Sequence, residues 1–270
     1  MSGIRHFLLA LQFFTRIPLP ERCAAWVGFS PAMQRVSLAY FPLVGWLVGS
    51  VAACSCLAVV YLLQGLNAAS WIAAVLSTIL TVMMTGALHE DGLADLADGL
   101  GGSADRERAL AIMKDSRIGS YGAVALVLTL LCKISLIAGL LQIDPVLAGW
   151  ALFAGHTWSR LMPIGVAALL PNVRAAAESN SAATAARPAP GVLLVAGFWA
   201  LLALAGAVAW LTAWFWAAGV LGSILAWLAM CRLLRRRLQG HTGDALGATQ
   251  QVCELAFYLG ILLGLGWALS

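Results

Sequence analysis

Apolar positions along this 270-residue chain gather into long runs, not into the period-two alternation of a half-buried sheet. Each run approaches the roughly twenty helical residues that cross a hydrocarbon core about 30 Å thick. Seven such runs are legible, at about residues 38–63, 71–88, 119–141, 146–170, 191–211, 214–234 and 245–267. The pattern predicts an all-α fold, a polytopic transmembrane helical bundle of about seven spans forming one integral membrane domain over 1–270. Residues 7–14 form a shorter apolar stretch closed by Thr15, Arg16 and Pro18. With no small-residue cleavage site behind it, that stretch reads as an interfacial helix within an N-terminal segment 1–37, not as a secretion signal.

Composition agrees with a lipid environment: 61% of residues are hydrophobic and 10% charged, against roughly 25% charged in a soluble domain. The loops between runs divide by charge. If residues 1–37 are cytoplasmic, the inner segments are 1–37, 89–118, 171–190 and 235–244. Together with Arg232 they hold fourteen of the sixteen Lys and Arg residues, and the loops on the other side hold none. The positive-inside rule therefore predicts a cytoplasmic N-terminus. The net charge of +4 is explained by that topology, and since the basic residues form no aromatic-interleaved stripe, a nucleic-acid partner is excluded. A homo-oligomer is neither indicated nor excluded. The six cysteines, Cys23, Cys54, Cys56, Cys132, Cys231 and Cys253, lack the spacing of a zinc site or a disulfide framework and read as small core residues. The Ala-, Ser- and Pro-rich stretch 174–190 reads as a mobile connection or lid.

Ten of the twelve acidic residues also lie in the inner segments. The densest segment is Leu88-His-Glu-Asp-Gly-Leu-Ala-Asp-Leu-Ala-Asp-Gly99. On a helix, Asp91, Asp95 and Asp98 share an arc of about 60°. Three carboxylates so placed repel one another unless a cation lies among them, and hard ions such as Mg²⁺ take oxygen ligands together with substrate phosphates. The plainer alternative is a solvated acidic face. His89 and Glu90 are either supporting groups or flanks. Further on, Lys114 and Arg117 are one helical turn apart and suit a phosphate-bearing ligand, or else interfacial anchoring. Asp115 is either another metal ligand or the partner of Arg117. Glu254, at membrane depth, is a functional candidate on cost alone. Asp244 either completes a metal site or caps the last helix. Arg160 and His156, four apart, form a basic wall, Lys133 is a structural partner for these acids, and Arg16 contacts an anionic headgroup or substrate. Gly45 and Gly49 give a small-x-x-x-small face suited to close helix packing.

At these residues the chain resembles the cobalamin synthase family, the adenosylcobinamide-GDP ribazoletransferases. The resemblance rests on Phe14-Thr-Arg-Ile-Pro18, Pro42-Leu-Val-Gly45, His89 through Gly99, Met113-Lys-Asp-Ser-Arg-Ile-Gly119 with Tyr121-Gly122, Arg160 with Pro163, and Thr242-Gly-Asp-Ala-Leu-Gly247 with Glu254. Glu90 departs from it, standing where the family usually has an apolar residue, and His241 occupies a variable position. The resemblance implies a Mg²⁺-dependent reaction at the cytoplasmic face of the cell inner membrane. In it the 5′-hydroxyl of α-ribazole, or of α-ribazole 5′-phosphate, attacks the corrinoid-side phosphorus of adenosylcobinamide-GDP and expels GMP. Asp91, Asp95 and Asp98 would hold Mg²⁺, with Asp115 a further candidate. Lys114 and Arg117 would bind the diphosphate, and Arg16, Arg160, Asp244 and Glu254 would complete the substrate site. His89 or Asp98 would serve as general base. Two other classes compete. The CDP-alcohol phosphotransferases also array aspartates on membrane helices, but after Asp91-Gly92 their pattern requires Ala and Arg where this chain has Asp95 and Leu96. A transporter would place binding residues at the bilayer midplane on broken helices, whereas these acids crowd one side.

The orientation is open to direct test. Single cysteines introduced at Ala68 and Ser103 in a background cleared of other reactive thiols are expected to react with impermeant reagent from outside and inside, respectively. The reverse pattern would invert the topology.

Overall fold

The computed structural model describes residues 2–173, 187–210 and 213–269. Among them there is no strand, and one isolated bridge pairs Asn172 with His241. Three short helices, α1 (Ser2–Phe14), α2 (Glu21–Val27) and α3 (Pro31–Ser37), precede a single turn of tighter helix, Leu38–Tyr40, and then α4 (Phe41–Leu62). The chain continues through α5 (Ala69–Thr85), α6 (Leu88–Gly102), α7 (Arg106–Ile112), α8 (Ser120–Ile143), α9 (Pro145–Ser159), α10 (Met162–Leu169), α11 (Pro190–Trp210), α12 (Ala213–Arg237) and α13 (Gly243–Leu269).

The bundle is apolar outside, and its largely apolar interior encloses a set of charged side chains. Leu128, Leu194, Leu225 and Leu263 are exposed, as a lipid-facing surface requires, while Lys133, Arg160 and Glu254 are buried. Helices meet through small residues. A methyl group added to Gly45 would lie 2.5 Å from the His156 carbonyl oxygen, and one on Gly49 would lie 2.9 Å from the Phe153 Cα. Close packing of α4 on α9 is thus the role of that glycine pair.

Five helices are long and apolar enough to span a bilayer: 31–62, taken continuously with α4, and α8, α11, α12 and α13. The other two runs read from hydropathy are interrupted. The run at 71–88 ends at Thr85, and α6 departs at 88° to α5, so the pair counts at most as one broken span. The bend consists of Gly86 and Ala87, both left-handed, with φ of 64° and 57°. Glycine adopts that conformation freely, whereas an alanine there is strained, at a cost of order 1–3 kcal/mol. The run at 146–170 is two helices, α9 and α10, broken at Arg160 and Leu161. Pro163 explains the break, because a proline is accommodated in the first turn of a new helix but not inside a continuous one. Three of the cysteines expected in the core, Cys23, Cys54 and Cys132, are exposed, and all six are free thiols. Cys54 and Cys132 lie on the exposed surfaces of α4 and α8, where a small apolar group suits lipid as well as protein. The connection expected as a lid, 174–190, lies mostly outside the described residues.

Replacing Gly45 with Leu should force α4 off α9 and lower stability in detergent by about 1–3 kcal/mol, read as a fall in the thermal midpoint. An unchanged midpoint would contradict the close approach.

Candidate active site

The acid-rich segment is helical, as its spacing predicts, but its three aspartates meet different surroundings. Asp91 is exposed, Asp95 partly so and Asp98 buried. The Asp98 carboxylate accepts the backbone N–H of Gly119 at 2.7 Å on one oxygen and that of Gly122 at 2.8 Å on the other. Those amides belong to the first turn of α8, whose own cap residue, Gly119, has no side chain to offer. Asp98 therefore caps α8 from a distance. A Cβ on Gly119 or on Gly122 would run into the Asp98 carboxylate, so both glycines are needed for the approach.

The second wall comes from the turn before α13. The His241 N–H donates to the Pro171 carbonyl at 2.8 Å, and the His241 carbonyl accepts the Val173 N–H at 3.0 Å. Thr242 caps α13 by accepting the Ala245 N–H at 3.2 Å, and Asp244 lies in the first helical turn. There α6 and α13 touch through backbone: a methyl group on Gly92 would lie 2.9 Å from the Asp244 Cα. Asp91 and Asp244 thereby line one cavity of about 400 Å³, shared with His89, His241, Phe14, Phe41, Arg35 and Asn172. Among the described residues, no three His, Cys, Asp or Glu side chains converge as a ready-made metal cage.

The cations expected on the diphosphate lie elsewhere. Helix α7 ends at Ile112, so Lys114 and Arg117 sit in the following loop and not one helical turn apart. The local cause is Asp115, whose carboxylate accepts the Arg117 N–H at 3.1 Å, a turn that competes with helix. The same carboxylate pairs with the Arg117 guanidinium at 2.6 Å. Hydrogen bonds from Arg117 hold the Asp115 carboxyl down at about 2, so this exposed pair is ionised throughout the neutral range. Arg16 is exposed, with its backbone N–H on the Met84 carbonyl at 2.7 Å and its side chain laid over Gly86. Arg16, Lys114 and Arg117 do not line the cavity.

Arg160 and Glu254 lie beneath it, 2% and 1% exposed. Glu254 accepts from Lys133 at 2.7 Å and Gln250 at 2.6 Å, and also contacts Tyr258 at 3.2 Å and His156 at 3.3 Å. Gln250 also reaches Ser159 at 2.9 Å. Arg160 donates to the His156 carbonyl at 2.7 Å and lies over the Phe41 ring at 5.6 Å. Glu90 receives a hydrogen bond from Gln251 at 2.8 Å. Glu90, Lys133, His156, Arg160, Gln250, Gln251 and Glu254 border a void of about 10 Å³, and two cations offset two carboxylates. Glu90, which spacing alone left unassigned, belongs to this buried network. Phe14, Phe41, Arg35 and Asn172 were not foreseen as site residues, since isolated aromatics, a lone Arg and an Asn carry no spacing signal.

The family described as Cobalamin-5-phosphate synthase matches residues 6–262. The chain belongs to that family. Relatives named adenosylcobinamide-GDP ribazoletransferase are 49% identical in Albidiferax ferrireducens, covering 97% of this chain and 99% of the relative, and 49% identical in Polaromonas naphthalenivorans, covering 98% and 100%. A third, from a Polaromonas species, is 50% identical over 97% of this chain and 98% of the relative. No solved structure matches. In this cobalamin-5-phosphate synthase family member, a charged network thus lies beneath the cavity that Asp91 and Asp244 line.

The network's energetics can be tested by substitution. Lys133→Met leaves the Glu254 charge short of a partner at membrane depth and should cost about 3–5 kcal/mol. The double variant Lys133→Met/Glu254→Gln, which removes both charges, should be more stable than the single one in thermal unfolding. Equal losses would mean that the pair is not coupled.

Proposed function

We propose that the protein joins adenosylcobinamide-GDP to α-ribazole or its 5′-phosphate and releases GMP, at the cytoplasmic face of the cell inner membrane. The observation that carries this reading is the meeting of α6 and α13 at Gly92, which sets Asp91 and Asp244 in the wall of one cavity in a chain of this family. In the reaction, a bond forms between an acceptor ribose oxygen and the corrinoid-side phosphorus, and the bond from that phosphorus to GMP breaks. The family's name describes a product that keeps a phosphate at the 5 position. An acceptor phosphorylated there has no 5′-hydroxyl, so the nucleophile in that case is a secondary ribose hydroxyl and not the 5′ group expected from the resemblance.

The residues fit a Mg²⁺ ion of the usual kind, which is held by one or two carboxylates, completes its shell with water and substrate phosphate, and needs no full protein cage. Asp91 and Asp244 would hold it, with Asp95 one turn along α6. Asp98 has both oxygens committed to α8 and acts by positioning. When bound, the ion would neutralise charge on the diphosphate as GMP departs. His89 shares the cavity wall with Asp91, and its Nε2 has no protein partner. That imidazole is the group placed to take the hydroxyl proton. Lys114 and Arg117 ride on the loop that Asp98 ties to α6. The Arg117–Asp115 pair is exposed, so the guanidinium is open to a phosphate as well as to Asp115. The distribution of Lys and Arg among the loops supports the cytoplasmic placement.

Purified protein in detergent with Mg²⁺ is expected to release GMP from adenosylcobinamide-GDP only when α-ribazole or its phosphate is present. Release without acceptor would identify a hydrolase. Asp91→Asn should lower turnover on the order of a hundredfold or more at an unchanged thermal midpoint, whereas Asp98→Asn should lower the midpoint itself. A near-normal rate for Asp91→Asn would remove the metal site from α6.

A further inference from the structure

The two substrates of the proposed transfer differ in shape: one is a macrocycle carrying a nucleoside diphosphate, the other a flat heterocycle on a ribose. The cavity beside Asp91 measures about 400 Å³, near the lower end of the 300–1,000 Å³ roughly typical of ligand pockets. That volume suits a nucleoside-sized molecule better than a macrocycle. Its lining is built to match. Phe14 and Phe41 stack at 3.8 Å and 17° between centroids and planes, and Phe41 stacks on His89 at 5.8 Å and 7°. Three nearly parallel rings from α1, α4 and α6 define one plane direction, along which a flat heterocycle packs with the geometry aromatic pairs prefer. The array is fixed before any ligand arrives, since Phe14 and Phe41 are 8% and 4% exposed and Arg160 lies over Phe41 at 5.6 Å. Pro163, Ile164 and Ala167 of α10 also line the cavity.

His241 supplies the polar contact. It is 5% exposed, its backbone is held on both sides by the Pro171 and Val173 hydrogen bonds, and its Nδ1 has no partner in the protein. A buried nitrogen left so costs on the order of 1–3 kcal/mol unless a ligand or water meets it. Burial also favours the neutral imidazole, which suits an uncharged partner such as a hydroxyl or a ring nitrogen better than a phosphate. An acyl chain would fill the apolar part of the cavity and leave this nitrogen unmet.

We propose that this cavity is the acceptor site, taking the base and ribose of ribazole with the base parallel to the Phe14, Phe41 and His89 rings and a hydrogen bond to His241, while the corrin and guanosine of the donor stay outside it. The assignment rests on the transfer reading for the identity of the occupant. Ala167→Phe fills the cavity, Phe14→Leu removes one ring and His241→Ala removes the polar contact. Each is expected to raise the KM for α-ribazole, about tenfold or more for Ala167→Phe, which corresponds to about 1.4 kcal/mol, with the KM for adenosylcobinamide-GDP within about twofold of wild type. Calorimetry with α-ribazole alone, without donor, should show binding to wild type and none to Ala167→Phe at a matching thermal midpoint. Phe14→Leu and His241→Ala keep the test open should Ala167→Phe fail to fold. Equal rises in both KM values, a rise for the donor only, unchanged kinetics in the variants, or a co-purified phospholipid that ribazole does not displace would overturn the assignment. The transfer reading stands or falls separately, on acceptor-dependent GMP release by the wild type.

Discussion

The ion pair between Lys133 and Glu254, 2.7 Å apart and almost wholly buried, is the constraint around which the rest of the bundle is arranged. Neither charge is tolerable alone at membrane depth, so α8, which carries Lys133, and α13, which carries Glu254, have one register in which both are met. His156 and Ser159 of α9 join the same network through Glu254 and Gln250, fixing a third helix. Arg160 then couples it upward, holding Phe41 from below while Phe41 stacks on His89. The floor of the cavity is thus an electrostatic object, and its rigidity passes to the rings that face a ligand.

The acid-rich helix divides its carboxylates among three tasks because three neighbours meet it. Glu90 turns into the buried network and is answered by Gln251. Asp98 reaches the amides that open α8. Asp91, the most exposed of the helix's carboxylates, lines the cavity, where Asp244 approaches from α13. The 60° arc on a helical wheel is real geometry, yet it describes directions from one axis. What each carboxylate touches depends on where α8 and α13 cross, and a single helix's periodicity holds no information on that.

The same limit governs how much was legible. Hydropathy found the apolar runs and the polar strip at 89–118, because burial in lipid demands apolar length whatever the packing. Gly45 and Gly49 were readable because small-residue spacing has one common use in a membrane. The breaks at Gly86–Ala87 and Arg160–Leu161 were not, since each window stays apolar enough on average to read as one run, although Pro163 was a visible hint. Glu254 and Lys133 were recognisable as costly charges, but their mutual contact spans 121 residues of sequence and had no local sign. Of the cavity's aromatic residues, Phe14 opens a stretch that carries the family resemblance, whereas Phe41 stands among many apolar residues with no local mark.

The departures from a simple bundle share a location. Leu88 and His89 follow the bend after α5, Pro163 and Ile164 follow the break after α9, and His241 forms the turn before α13, and all five line the cavity. Irregular backbone at or near membrane depth is tolerated only where protein or an enclosed polar space satisfies its groups. A straight seven-helix bundle would point its side chains along fixed rows and could bring Asp91, His89 and His241 together only by chance. Giving up helical continuity twice, after α5 and after α9, frees helix ends, whose side chains project along the axis as well as around it. A strained Ala87, a shortened α9 and a bridged His241 are consequently part of how the chain builds a site, with Asp91 and Asp244 in the wall of one cavity and Glu254 buried beneath it.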